Sequence, residues 1–234
     1  MKPATSGNHG VRHLGIIMDG NRRWAESRGL PSLEGHRRGY GVFKKVGIWC
    51  LDRGIEILTV YAFSTENWNR TKKEVNYLMK LLTLALFNEV DDLHKKNIKI
   101  SVIGRVKELP TSLQKHIADA MELTKNNTRG TLQLAINYGG RQEIVDAVKK
   151  VMKTAKNSSA ITEQSLSEAM YTQHQPDPDL IIRTSGEQRL SGFLAWQGVY
   201  SELIFMKKHW PNFKESDLDE ALAEFGRRQR RFGT

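Results

Sequence analysis

Six short apolar runs, at 14–18, 55–61, 98–103, 132–136, 180–182 and 203–205, alternate with longer stretches of helical periodicity. The helical stretches lie at about 39–53, 72–95, 108–126, 141–155, 163–171 and 216–230. A run apolar at nearly every position, such as Leu14-Gly15-Ile16-Ile17-Met18, suits a strand of a parallel sheet covered by helices on both faces. The alternation predicts one α/β domain with a central, mostly parallel sheet of about six strands. Ser165-x-x-Glu168 and Ser216-x-x-Asp219 have capping-box spacing and are expected to start helices. The stretch 153–160 reads as a surface connection, because strand-like segments resume beyond it.

In open parallel sheets, ligands bind beyond the carboxyl ends of the strands, so the residues that follow each run carry the functional argument. The first cluster is Met18-Asp19-Gly20-Asn21-Arg22-Arg23-Trp24-Ala25. A glycine turn, an amide and two arginines opening a helix make a diphosphate cradle. A carboxylate there would repel phosphate unless a hard cation such as Mg²⁺ bridges the two. The alternative, that Asp19 caps the helix and the arginines are solvated, stays open on spacing alone. The second cluster, 61–70, holds Tyr61, Phe63, Ser64, Asn67, Trp68 and Arg70; it suits a ligand with an apolar tail and an anionic head, or a packed loop anchored by Trp68. The third, Arg183-Thr184-Ser185-Gly186-Glu187-Gln188-Arg189-Leu190-Ser191, places two more guanidinium forks around an anion pocket. So polar a run directly after a buried strand rarely serves packing.

Charge agrees with anionic ligands: 36 Lys and Arg stand against 26 Asp and Glu, a net +10. The single Cys50 excludes an intrachain disulfide and any cysteine-cluster metal site. Residues 1–10 are polar, unlike a signal peptide, and no apolar run approaches the roughly 18 residues that span a bilayer. The expectation is a soluble, cytoplasmic protein.

The three clusters, with Gly35-His36 and Asn137-Tyr138-Gly139-Gly140-Arg141, resemble the signature blocks of the cis-prenyltransferases, the undecaprenyl diphosphate synthase family. The likeness runs from about residue 13 to 233, leaving 1–12 as a polar extension ahead of a 13–234 domain. It implies a homodimer of α/β subunits, each enclosing an apolar product tunnel. It also implies Mg²⁺-dependent, repeated condensation of isopentenyl diphosphate onto an allylic diphosphate primer, each step creating a cis double bond. By motif, Asp19 would be the magnesium-linked catalytic carboxylate, and Gly20, Asn21, Arg22 and Arg23 would hold the allylic diphosphate with His36 nearby. Trp24, Phe63, Trp68 and Arg70 would border that site, while Ser64 and Asn67 would handle or position a proton. Arg183, Arg189 and Ser191 would grip isopentenyl diphosphate. Glu202 would assist with magnesium across the dimer, and Arg231-Phe232-Gly233 matches the family tail that reaches the partner's site. The product would be a long-chain, undecaprenyl-like diphosphate, precursor of a glycosyl carrier lipid, released through peripheral contact with the inner face of the membrane.

Where many members carry an arginine four residues before the histidine, this chain has Ser32; Gln188 replaces a histidine, and Gly192 replaces an asparagine. Gly192 and Trp49-Cys50 resemble archaeal-type sequences, which leaves the primer open between farnesyl and geranylgeranyl diphosphate. A shorter product and a non-catalytic partner subunit are the alternatives, the latter disfavoured because Asp19 and its arginines are present. The 72–95 stretch offers a wide apolar face that would wall a tunnel or serve core and dimer packing. Asp91-Asp92-Leu93-His94-Lys95 lacks the final Asp of a trans-prenyltransferase DDxxD and reads as a solvated helix face. There is no P-loop or dinucleotide fingerprint. A nucleic-acid binder would explain the charge, best through Arg227-Arg228-Gln229-Arg230-Arg231, but no recognition motif is present and no nucleic-acid partner is expected.

Overall fold

The computed structural model describes residues 9–154 and 157–228. Six strands form one sheet: β1 (His13–Ile17), β2 (Ile57–Ser64), β3 (Ile98–Ile103), β4 (Gly130–Tyr138), β5 (Leu180–Arg183) and β6 (Glu202–Phe205). Their order is β3-β4-β2-β1-β5-β6, and every pairing is parallel. The helices are α1 (Asn21–Glu26), α2 (Ser32–Asp52), α3 (Lys72–Lys95), α4 (Thr111–Thr124), α5 (Gly140–Met152), α6 (Glu163–Ala169) and α7 (Glu215–Arg227). From β1 the chain moves to β2 on one side, whereas from β5 it moves to β6 on the other. The β1/β5 junction is therefore the topological switch point, where an open α/β sheet forms its ligand crevice.

Alternate strand residues explain the two layers. Leu14, Ile16, Leu58, Val60, Leu132, Leu134, Leu180 and Ile182 pack with buried residues of α2, α3, α4 and α7 in the main core. Ile17, Ala135, Tyr138 and Ile181 face the other way and pack with Phe193 and Leu194. Leu84 and Phe87 of α3 are exposed, as are Asp91 and Asp92.

Three boundaries differ from expectation. Helix α2 begins at Ser32, well before 39, because Gly35, Gly39 and Gly41 weaken the helical pattern. A Cβ at Gly35 would lie 1.9 Å from the Asn21 carbonyl oxygen, and one at Gly39 2.2 Å from Asn21 Oδ1; these glycines let α1 cross α2 at close range. Helix α6 is capped by Thr162, with Ser165 at the third helical position. Helix α7 starts at Glu215, where Asp217 Oδ2 accepts the Lys214 amide at 2.7 Å. Ser165 and Ser216 thus lie inside the first turns rather than ahead of them.

A buried polar row crosses the second sheet face. His13 Nδ1 donates to the Pro176 carbonyl at 2.7 Å, which leaves Nε2 to accept the Thr59 hydroxyl at 2.7 Å. Gln133 Nε2 donates to Thr59 Oγ1 at 3.1 Å. Burial holds His13 below the ordinary imidazole value, against the opposing influence of the Pro176 carbonyl and Asp179. The unfolded chain therefore takes up a proton that the folded chain refuses, so stability falls as pH drops below about 6.5. His13→Gln is expected to flatten the decline in Tm between about pH 7.5 and 5.5; an unchanged slope would show that His13 does not govern it.

Candidate active site

Register alone brings the first and third clusters together. Ile17 pairs with Arg183 across β1 and β5, so the residues leaving both strands meet above the switch point. Arg183 Nη2 donates to Asp19 Oδ2 at 2.8 Å, and Arg23 Nη2 approaches the same oxygen at 3.2 Å. Arg183 is buried; its Nη1 donates to Ser191 Oγ at 2.9 Å and to the Arg189 carbonyl, while its Nε–H has no partner. Burial pushes Asp19 upward, but the Arg183 hydrogen bond and the charges of Arg183 and Arg23 prevail and hold it below the usual carboxylate range. The Asp19 carbonyl is fixed by Thr184 Oγ1 at 2.7 Å and by the Trp210 amide at 3.0 Å. Gly20 has φ +100°, and a Cβ there would meet Ser185 Oγ at 2.6 Å, so the turn into α1 requires glycine.

The cleft, of about 630 Å³, is lined by Asp19, Asn21, His36, Ser64, Asn67, Arg70, Arg183 and Ser191 among others. The N-terminus of α5 opens onto it, with Gly139, Gly140, Arg141 and Gln142 in the lining. A Cβ at Gly140 would lie 2.5 Å from the Gly192 carbonyl oxygen, which explains the glycine by close backbone approach. A contiguous pocket of about 330 Å³ adds Gly20, Arg22 and Arg23. An apolar slot of about 90 Å³ between α2 and α3 shares Met18, Asn21, His36, Ala62 and Leu78 with the cleft.

Glu74, in the first turn of α3, was not singled out from sequence, yet it organises this basic wall. Buried at 6% exposure, it accepts from Arg70 Nη1 at 2.9 Å and faces His36 Nε2 at 3.1 Å, with Arg22 Nη1 at 3.9 Å. Burial raises its pKa, but the His36 contact and the charges of Arg70 and Arg22 hold it low. Burial likewise lowers His36, more than its Glu74 contact raises it. The Thr71-x-x-Glu74 spacing was the available signal, and Thr71 Oγ1 does accept the Glu74 amide at 3.3 Å. Glu187, within the third cluster, bridges Arg23 at 2.9 Å and Arg189 at 2.5 Å.

Other residues take different places. Trp24 turns to the back of α1, where its indole N–H donates to Asn212 Oδ1 at 2.8 Å; it is not among the cleft-lining residues. Phe63 is fully buried, its ring 5.1 Å from that of Trp68, and Trp68 Nε1 donates to Asn137 Oδ1 at 2.7 Å. These two brace the cleft wall from behind. Arg189 is 61% exposed at its side chain. Asn67 Oδ1 accepts the Ser64 amide at 3.1 Å. Glu202 pairs in register with Leu180, at the amino end of the strands and away from Asp19, and accepts from Arg228 Nη1 at 2.7 Å. Arg231, Phe232 and Gly233 lie outside the described residues, as do residues 1–8 of the N-terminal extension. Arg227 and Arg228 both pair with Glu224.

Comparison with known proteins bears on this geometry. The prenyltransferase family described as "Putative undecaprenyl diphosphate synthase" matches residues 17–233. A ditrans,polycis-undecaprenyl-diphosphate synthase ((2E,6E)-farnesyl-diphosphate specific) of Micrococcus luteus is 45% identical over 226 residues, covering 95% of this chain and 91% of that one. The crystal structure of lavandulyl diphosphate synthase from Lavandula x intermedia, in complex with dimethylallyl diphosphate, matches with TM-score 0.92 and 38% identity over 97% of this chain and 99% of that one. A probable undecaprenyl diphosphate synthase from Campylobacter jejuni matches with TM-score 0.81 and 31% identity, covering 96% and 99%.

Proposed function

The chain belongs to the undecaprenyl diphosphate synthase family of prenyltransferases, and from that premise we propose how its own residues elongate a cis-prenyl chain. The substrates are an allylic diphosphate and isopentenyl diphosphate, and the product is a long polyprenyl diphosphate, precursor of a glycosyl carrier lipid. One observation carries the reading: a cleft walled by Asp19, Arg70 and Arg183 shares its inner residues with an apolar slot. A ligand with a charged head and a hydrocarbon tail fits that division. The name of the Micrococcus luteus relative supports farnesyl diphosphate as the primer.

Arg22, Arg23 and the N-terminal amides of α1 hold the allylic diphosphate, with His36 and Arg70 beside it. Arg183, Arg189 and Ser191 hold isopentenyl diphosphate. Two diphosphates repel until neutralised, and the same cations stabilise the diphosphate that departs as the allylic C–O bond ionises. The isopentenyl double bond attacks the allylic carbon, and a proton is then lost. Asn67 Oδ1 is engaged by the Ser64 amide and an amide is a poor base, so Ser64 and Asn67 position the reacting atoms while a diphosphate oxygen takes the proton.

The donor set fits Mg²⁺ in its usual manner. No group of three or more His, Cys, Asp or Glu that could hold a metal occurs among the described residues, and Mg²⁺ characteristically takes one or two carboxylates plus substrate phosphate oxygens. Asp19 would supply the carboxylate, both of its arginine contacts falling on Oδ2. Bound there, the ion would supply charge neutralisation for the diphosphates. Glu202 and the 231–233 tail would act across a homodimer, and Val199 and Tyr200, 69% and 68% exposed just before β6, lie on a face such a dimer would cover. No helix among the described residues is long and apolar enough to cross a membrane; product release would use peripheral contact at the inner membrane face.

A shorter product is the second reading. An apolar cavity of about 150 Å³ holds one benzene, so the 90 Å³ slot holds less than one prenyl unit in this conformation. Product analysis with Mg²⁺, labelled isopentenyl diphosphate and geranyl, farnesyl or geranylgeranyl primers decides between them. A Mg²⁺-dependent ladder of long cis products is the expected result; no product from the folded protein with any primer would overturn the reading. Ala62, which lines both cleft and slot, leaves room for the growing chain. Ala62→Leu is expected to shift the ladder to shorter products, and an unchanged length on chromatography would refute that role.

A further inference from the structure

A second cleft, of about 790 Å³, lies between α2 and the 208–215 segment and shares no lining residue with the active cleft. It uses the opposite face of α2. His36, Gly39 and Phe43 point to the slot, whereas Arg38, Gly41, Lys45 and Trp49 fall three to four residues apart along the other side. Lys208 and Lys214 stand on the facing wall, and Pro211 and Phe213 complete an apolar floor.

The charge in this cleft is unbalanced. Arg37 is tied to Glu34 and Lys208 to Asp217. Arg38, Lys45 and Lys214 make no ion pair within 4.0 Å among the described residues, although Glu34 also feels the charge of Arg38. Glu215 also lines the cleft, but it is committed to Arg53 at 3.0 Å. Like charges gathered in a concavity repel one another and focus a positive potential, a cost that an anionic occupant removes. Gly41 leaves the α2 wall of this cleft open. Glycine within a helix costs about 1 kcal/mol relative to alanine. Gly35 and Gly39 are explained by contact with α1, whereas a Cβ at Gly41, as at Gly47, would meet nothing within 4 Å. At Gly41 that empty space opens into the cationic cleft, about one helical turn from both Arg38 and Lys45.

We propose that this cleft is a second anion site, recognising a phosphate group on a molecule whose apolar portion lies against Trp49 and Phe213. Arg38, Lys45 and Lys214 hold the phosphate, and the missing side chain at Gly41 admits it between Arg38 and Lys45. A soluble phosphorylated compound and the headgroup of an anionic phospholipid share this chemistry.

Trp49 reports on the site directly, because it lines this cleft and not the active one. With the five tryptophans labelled for NMR and Trp49→Phe used for assignment, inorganic pyrophosphate is titrated into the protein. Vesicle flotation with phosphatidylglycerol forms the second arm. The expected result is a saturable, salt-sensitive shift of the Trp49 indole resonance, weakened at least tenfold in Arg38→Ala/Lys45→Ala/Lys214→Ala. A shift with pyrophosphate identifies a soluble phosphate ligand; no shift, with vesicle binding lost in the triple variant, identifies the lipid headgroup. Gly41→Glu, which places a carboxylate on the α2 wall between Arg38 and Lys45, is expected to give the same loss should the triple variant fail to fold. A Trp49 resonance indifferent to pyrophosphate, together with vesicle binding unaffected by these substitutions, would overturn the proposal.

Discussion

Asp19→Asn is expected to reduce kcat/KM at least about a thousandfold, since it removes the carboxylate that two arginines hold and that we propose as the Mg²⁺ ligand. Asparagine retains the shape and an oxygen that can accept from Arg183, whose guanidinium lies 2.8 Å from Oδ2. Asp19→Ala would confound the measurement: Arg183 is only 5% exposed, and stranding a buried charge costs about 3–5 kcal/mol. The loss should fall on kcat and persist well below a melting temperature that the uncompensated Arg183 charge lowers, and added Mg²⁺ should not restore it. Activity within tenfold of the parent would remove Asp19 from the centre of the mechanism.

Gly35→Ala is expected to destabilise the fold by more than about 3 kcal/mol. The added Cβ would lie 1.9 Å from the backbone oxygen of Asn21 and 3.3 Å from Ala25 Cβ. Backbone is not a flexible obstacle, so α1 must lift from α2, and α1 carries Arg22 and Arg23, the proposed diphosphate ligands. Activity should fall with stability. Gly41→Ala in the same helix is the control: its Cβ meets nothing within 4 Å, so it should stabilise by about 0.5–1 kcal/mol. Chemical denaturation of both variants gives the answer; equal effects would show that α1 and α2 do not interlock as described.

The polar clusters were legible because each follows a β-branched run, and chemistry in an open parallel sheet gathers at the carboxyl ends of strands. Asp19 and Arg183 were therefore found as separate candidates. What joined them is strand order, which placed β5 beside β1 although more than 150 residues separate their clusters. Trp24 shows the opposite case. It sits inside the motif, but helical geometry turns it to Asn212, because residues adjacent in a helix point about 100° apart.

Glu74 was hidden for a related reason. In sequence it is an ordinary capping acid at the start of a helix, and its proximity to His36 exists only because α3 packs beside α2. Glu202 was named in sequence as acting across a dimer, and parallel register sets it at the amino end of the sheet, away from the Asp19 of its own chain. Hydrophobic periodicity, glycine turns and charge thus determined the α/β class, the strand and helix segments and the kind of ligand, since these depend on neighbours along the chain. Which clusters share a cleft, which arginines hold Asp19, and which buried carboxylate orders the basic wall were decided by tertiary structure, because strand order and helix packing are set by contacts between residues far apart in sequence.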